Sequence, residues 1–595
     1  MLLCLIHGKN WKEEAEMNLK EKEYIKIKYV RYFCLLVFIL FLYGCGNAKS
    51  TSNEAIQTKS NKEIESELER QKIEQLERLT QGDISLSANE LTDFASETKF
   101  IYDVSKEQLV YTLSIPQIPQ SDDAYVYLFR KECFDKTTQL SGEPIASGLK
   151  GTTCEIIFPY VKEYLFENFV PALLIEEQYI PISNGIYLSN PEALAKNQDK
   201  YPETNSKKGL LLDPTMVGSD KLTDLGVKHA IYNIPLSIII SDNNQDKTKV
   251  ISYTYKGKAY YFNKEAIEGY DGLFTFLNKE EMTCTAIILN DWNESHIELI
   301  HPDARNKESG AYYYMFNTMQ KEGTQTIEAI ASFLTERYSG EKHGLVHSWV
   351  IANEINQQKI WNYMDTDDVD YYAEEFEKAF RIFYQAAKSQ YADSKVYFSI
   401  DHDWNNNENE HSKYFNGRDL VTAFNKAALK HGNYDWGIAL HPYPNPIARV
   451  DYWKQQYDKS QDAEILSLMN LYTLIDFLKQ DVYLNTENKV RNLTITELGF
   501  TSSTGEKLQA AAFAYCYHIV EANPYINAFI MNRQTDAPEE LKQGLAFGIY
   551  KYNQKPKFIK EVFQYIDTDK SDKYTTFMLE IIGAETLNEA LSWAE

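Results

Sequence analysis

Between residues 208 and 532 the chain alternates eight times between a short β-prone run and a longer stretch with helical spacing. Runs of four to eight residues rich in Val, Ile, Leu and aromatics, bounded by turn residues, are too short for core helices and predict buried strands. They fall at 208–212, 227–235, 283–290, 346–354, 396–401, 435–441, 492–497 and 527–532. Helical stretches lie between them, the clearest at 327–338, 371–391, 420–431, 465–478 and 507–522. Repeated strand–helix units of this number predict an α/β fold, a closed (β/α)8 TIM barrel, over residues 205–595 with a C-terminal extension. An open doubly wound sheet is the rival, but neither a G-x-G-x-x-G turn nor a P-loop follows any strand. Residues 253–262 read as a hairpin turning at Lys256-Gly257, inserted above the barrel.

Two of the strands stop on a carboxylate. Strand four runs Trp349-Val350-Ile351-Ala352-Asn353-Glu354, and strand seven runs Leu493-Thr494-Ile495-Thr496-Glu497. A charge at the C-terminal tip of a buried strand is badly placed for packing. It is well placed for chemistry, because a barrel's active site lies at that end. Strand six, between them, ends His441-Pro442-Tyr443-Pro444, which puts His441 and Tyr443 two positions apart. Asp401, His402, Asp403 and Trp404 follow strand five as cleft or loop-capping residues. No dedicated ligand spacing joins His402, Asp403 and His441, so no metal is expected. Tyr312-Tyr313-Tyr314 and Trp361 are either stacking walls or core. A lone glutamate at a strand end is ordinarily a solvated loop residue, and a lone histidine a packed one. Two glutamates on strands four and seven, one preceded by Asn, with His-x-Tyr between, favour the chemical reading.

Those residues resemble the clan A glycoside hydrolases, the "4/7" retaining barrels. The resemblance covers about residues 205–570. It implies hydrolysis of an oligo- or polysaccharide by double displacement, with two carboxyls about 5–5.5 Å apart. Glu354 is then the acid/base and Glu497 the nucleophile. Asn353, His441, Tyr443, Asn233, Trp404 and Asn532 are then substrate-side residues, and no cofactor is required. Two strand ends differ from the clan pattern. The second ends Tyr232-Asn233 where many members carry Arg, and the eighth ends Asn532-Arg533-Gln534 where many carry Trp. Some barrels of this shape are known only as domains of unknown function, and this chain is a candidate for such a group. The alternatives are a non-catalytic, surface-exposed glycan-binding lipoprotein with a degenerate barrel, and a structural envelope protein.

Residues 83–204 change period. Short runs at 99–102, 110–113, 125–129, 154–158 and 169–175 are separated by turn residues, which predicts an all-β sandwich of immunoglobulin or fibronectin type. It reads as a spacer or as a carbohydrate-binding module. Residues 46–82 are polar and form a tether, with a solvated helix within 61–79. Residues 1–45 read as a targeting segment. Lys20, Lys22, Lys26, Lys28 and Arg31 precede an apolar run at 33–42, shorter than the ~18 residues that span a bilayer. The run ends Gly44-Cys45, which resembles a bacterial lipobox and implies lipidation of Cys45. Residues 1–16 add nothing a signal needs, so Met17 is a candidate start. The expected location is the bacterial cell surface, lipid-anchored outside the cytoplasmic membrane, as a monomer whose only membrane contact is the anchor. Seven cysteines carry no C-x-x-C; Cys133 and Cys154 are near enough to pair or to be lone buried thiols. A formal net charge of −25 excludes nucleic acid as the partner.

Overall fold

The computed structural model describes residues 61–595 apart from 136–139, 141, 243–245 and 407–412. The expected leader, its Cys45 and residues 46–60 of the tether lie outside the described residues. The tether helix spans Asn61–Gln81. Its last turns do more than space: Leu79 is buried with Ile118 and Ala124, and Leu76 packs on them. Among the described residues no helix is long and apolar enough to cross a membrane.

Two antiparallel sheets follow. One orders strands Ser96–Asp103, Gln108–Ser114 and Thr153–Pro159; the other orders Ala146–Leu149, Tyr125–Lys131, Asn168–Ile175 and Gln178–Pro181. Thr153–Pro159 alternates exposed and buried residues throughout, the period of a strand with one face on a core. The inward rings meet between the sheets. Phe169 lies 4.7 Å from Phe100 and 5.7 Å from Phe158, centroid to centroid. The buried Tyr111 hydroxyl donates to the Phe169 carbonyl at 3.1 Å.

Eight parallel strands then close into a barrel. In chain order they are Lys208–Leu211, His229–Pro235, Thr283–Leu289, Ser348–Ile351, Lys395–Asp401, Trp436–His441, Leu493–Leu498 and Ile526–Met531. Strand eight pairs with strand one, Phe529 opposite Lys208, and completes the ring. Ile231, Ile287, Leu289, Val350, Tyr397, Ala439 and Ile530 fill the interior, so the barrel is a packed core and only its rim is free for chemistry. The outer helices include Lys264–Lys279, Lys321–Arg337, Val369–Gln390, Gly417–Lys430, Leu471–Leu478 and Glu506–Ala522.

The hairpin pairs Val250–Tyr255 with Lys258–Asn263. Lys256 and Gly257 both have positive φ, the requirement of a two-residue type I′ turn. It does not sit above the barrel. Its aromatic face needs cover, and Phe262 stacks on Phe333 of the helix Lys321–Arg337 at 3.7 Å. The hairpin is therefore a flank bracket. At its tip, Lys256 Nζ lies 3.0 Å from Glu132 and 3.8 Å from Glu167 of the β-sheet region, and 3.1 Å from Glu328 of that helix. The sheets also dock on the helix Val369–Gln390, where the Arg381 guanidinium covers the Tyr187 ring and Gln385 donates to the Leu188 carbonyl at 2.7 Å. Cys133, Cys154, Cys284 and Cys516 are free thiols.

Candidate active site

Strand four ends at Ile351, and the chain then turns sharply. Ala352 and Glu354 have φ of +64° and +38°, a left-handed region costly for residues with a Cβ and found mostly where function or tight packing holds it. Strand five clamps this turn: the Glu354 amide donates to Ser399 Oγ at 2.7 Å and the Ile355 amide to the Ser399 carbonyl at 2.9 Å. The Glu354 carboxyl meets strand six, with Oε1 2.8 Å from His441 Nδ1. The other His441 nitrogen, Nε2, lies 3.0 Å from Thr496 Oγ1 on strand seven. Glu497 comes next in sequence. Its Oε1 accepts from the Tyr443 hydroxyl at 2.9 Å and from Asn532 Nδ2 at 3.2 Å. Asn532 Nδ2 also donates to the Tyr443 oxygen at 2.8 Å. One His-Pro-Tyr segment thus holds both carboxyls, His441 taking Glu354 and Tyr443 taking Glu497.

The Glu354 carboxyl sits in a buried, charged environment. Burial pushes the Glu354 carboxyl up; the hydrogen bond and charge of His441 pull it down, and the charges of Asp401 and Glu497 push it up again, so the net shift is upward. For His441, burial works downward, but the bond to Glu354 and the charges of Glu497, Glu354 and Asp401 prevail, and its affinity for a proton rises. The net upward shift of Glu354 is the direction a general acid needs.

Asn353 is half-buried directly before Glu354. Asn233 is half-buried, and its carbonyl accepts from the Tyr270 hydroxyl at 3.0 Å. It lines a cavity of about 630 Å³ at the ends of strands eight, one and two, together with Asp213, Tyr232, Arg533, Gln534 and Tyr552. Both strand ends that differ from the clan pattern line this one cavity. A larger cavity, about 870 Å³, opens among Lys228, Thr283 and His347 at the N-terminal ends of strands, away from the glutamates. Trp404 is a correction: its side chain is fully buried, edge-on to Phe477 at 5.1 Å, and offers no face to a ligand. The loop after strand five folds its ring into the core because Trp404 and Asn405 amides both donate to the Glu464 carbonyl.

Sequence reasoning missed the support beneath Glu354. Buried Asp401 accepts from Asn356 Nδ2 at 2.5 Å, Gln357 Nε2 at 2.8 Å and the Asp403 amide at 2.9 Å. Gln357 also donates to Asp403 at 2.7 Å. Asn356 and Gln357 follow Glu354 by two and three residues, a spacing that could have marked them as its loop partners.

Comparison with known proteins gives three results. No curated protein matches the sequence. Similar solved structures include a family 39 glycoside hydrolase from the gut symbiont Bacteroides cellulosilyticus WH2, at 14% identity and TM-score 0.40, covering 81% of each chain. A Bacteroides uniformis β-glucuronidase aligns at 12% identity and TM-score 0.33 over 79% of this chain and 49% of its own. A Thermotoga maritima β-glucosidase aligns at 12% identity and TM-score 0.36 over 60% and 85% respectively. Residues 200–590, the span of the barrel, match the model of the family of unknown function DUF5722, and the chain belongs to that family.

Proposed function

We propose that the barrel is a retaining glycoside hydrolase acting on an oligo- or polysaccharide. The observation that carries this is the pair of strand-end carboxyls held by one segment: Glu354 on His441, with its proton affinity raised, and Glu497 on Tyr443 and Asn532. In the first step Glu497 attacks the anomeric carbon while Glu354 protonates the departing oxygen. In the second Glu354 takes a proton from water, which displaces Glu497 from the glycosyl-enzyme. Two donors on Glu497 fix its attacking geometry, and Asn353, directly before Glu354, is assigned to the sugar hydroxyl beside the anomeric carbon. The test is the configuration of the first-formed sugar, read by NMR during hydrolysis of a panel of aryl glycosides and polysaccharides. Retention is expected. Inversion, or no hydrolysis across the panel, contradicts the reading. The cavity's departure from the clan pattern, Arg533 and Asn233 among its lining, favours a second reading, glycan binding without turnover, which the same panel separates by binding without products.

The sheet order, three strands against four, supports an immunoglobulin- or fibronectin-like spacer. For the segment outside the described residues, the proposal is that Cys45 is the lipidated mature N-terminus of a monomeric surface protein. Cys45→Ser should release the protein from membranes or leave it unprocessed; unchanged retention with no lipid on Cys45 contradicts this.

A further inference from the structure

The tyrosine run after strand three splits into three environments. Tyr314 is buried and is core. Tyr313 is half-buried and packs on the cluster that fills the barrel interior. Tyr312 is 62% exposed, yet its ring is stacked on Trp361 from the loop after strand four, centroids 4.7 Å apart and planes 18° from parallel. Tyr313 continues the series, 6.0 Å from the same indole. Burial and then the charges of Asp291 and Glu497 push the Tyr313 hydroxyl up to about 12. The aromatic run therefore starts in solvent and ends against the packed barrel interior, just past the C-terminal end of strand three.

The run is rigid. The Tyr312 amide donates to the Ile360 carbonyl at 2.8 Å, the Tyr363 amide to the Tyr313 carbonyl at 2.8 Å, and the Met315 amide to the Tyr363 carbonyl at 3.0 Å. Two loops are zipped together, and the exposed ring is held where a floppy loop would let it fold away. Core packing accounts for Tyr314 but not for a solvent-facing ring pair with Ile360, itself 46% exposed, beside it. Rigid aromatic faces bind flat, weakly polar surfaces with little loss of conformational entropy. The net charge of −25 disfavours a polyphosphate that would stack its bases there.

We propose that Tyr312, Trp361 and Tyr313, on the loops after strands three and four, form a stacking track for a neutral glycan chain at the barrel mouth, so that the ligand is an extended oligosaccharide rather than a monosaccharide glycoside. This rests on the barrel mouth being a carbohydrate site, not on turnover.

The test uses the full chain carrying Glu497→Gln, alone and combined with Tyr312→Ala, Tyr312→Phe or Trp361→Ala. The probes are neutral oligosaccharides of one to eight units from glucan, mannan, xylan, galactan and chitin series. At least one series should bind with affinity rising beyond two units. Tyr312→Ala and Trp361→Ala should weaken its long members about tenfold and leave its disaccharide unchanged, and Tyr312→Phe should behave as the parent. Melting curves identify a misfolded Trp361→Ala, and exposed Tyr312 carries the test independently of it. No length-dependent series, or equal binding by Tyr312→Ala and the parent, overturns the track. Chain binding by a wild-type protein that hydrolyses nothing would instead remove the hydrolase reading and leave the track. Hydrolysis of monosaccharide glycosides without chain binding would do the reverse.

Discussion

Burial above all raises the proton affinity of Glu354; the His441 imidazole lowers it and Asp401 adds to the rise. The alkaline limb of a pH profile of kcat/KM follows deprotonation of the acid in the free enzyme. His441 lowers the Glu354 proton affinity through its bond and charge, whereas Asp401 raises it. His441→Ala should therefore move the alkaline limb to higher pH, and Asp401→Asn should move it to lower pH. Shifts of the same sign would contradict the assignment. Tyr443→Phe removes one donor from Glu497. A hydrogen bond to a charged group is worth about 1.5–3 kcal/mol, so kcat/KM should fall roughly 10- to 100-fold. Of these residues, Glu354, Glu497, His441, Tyr443 and Asn532 were legible in the sequence because each ends or follows a short apolar run. Asp401's partnership with Asn356 and Gln357 was not, since it depends on how two loops fold together over the rim.

The hairpin is the element whose position the local sequence leaves open. Its turn at Lys256-Gly257 is local chemistry and readable; its placement depends on which neighbour covers its aromatic face, and Phe333 decides that. The bracket stores a pH dependence. Burial pushes the Glu328 carboxyl up to about 7, against the pull of Lys256 and with the push of Glu132. A carboxyl raised on folding contributes stability that is present below its unfolded value, near 4.5, and lost as pH rises through about 7. Urea unfolding at pH 5 and pH 8 should show that loss, and Glu328→Gln should shrink the difference, by at most about 3 kcal/mol. An unchanged difference would remove Glu328 as its source. In the loop after strand five, Trp404→Ala should cost about 3–5 kcal/mol, the price of a large core cavity, whereas a sugar platform would lose affinity with little change in melting.

At the scale of the whole molecule, the β-sheets and the barrel share the Lys256 bracket and the Arg381–Tyr187 contact. Calorimetry should therefore show them unfolding in one transition; two well-separated transitions would contradict this coupling. The eight-strand barrel was legible because its strands are nearly continuous apolar runs, buried on both faces. The four-residue strands Ala146–Leu149 and Gln178–Pro181 were missed, being too short to show a period. Whether the molecule is an enzyme turns on its two carboxyls acting in different steps. The most direct measurement runs Glu354→Ala and Glu497→Ala side by side on an activated aryl glycoside, with and without azide. Glu354→Ala should keep the first step, accumulate glycosyl-enzyme and give a glycosyl azide of retained configuration. Glu497→Ala should lose the first step, and azide in the vacated space should give the inverted product. Equal, mild losses in both variants with no azide product would contradict the account.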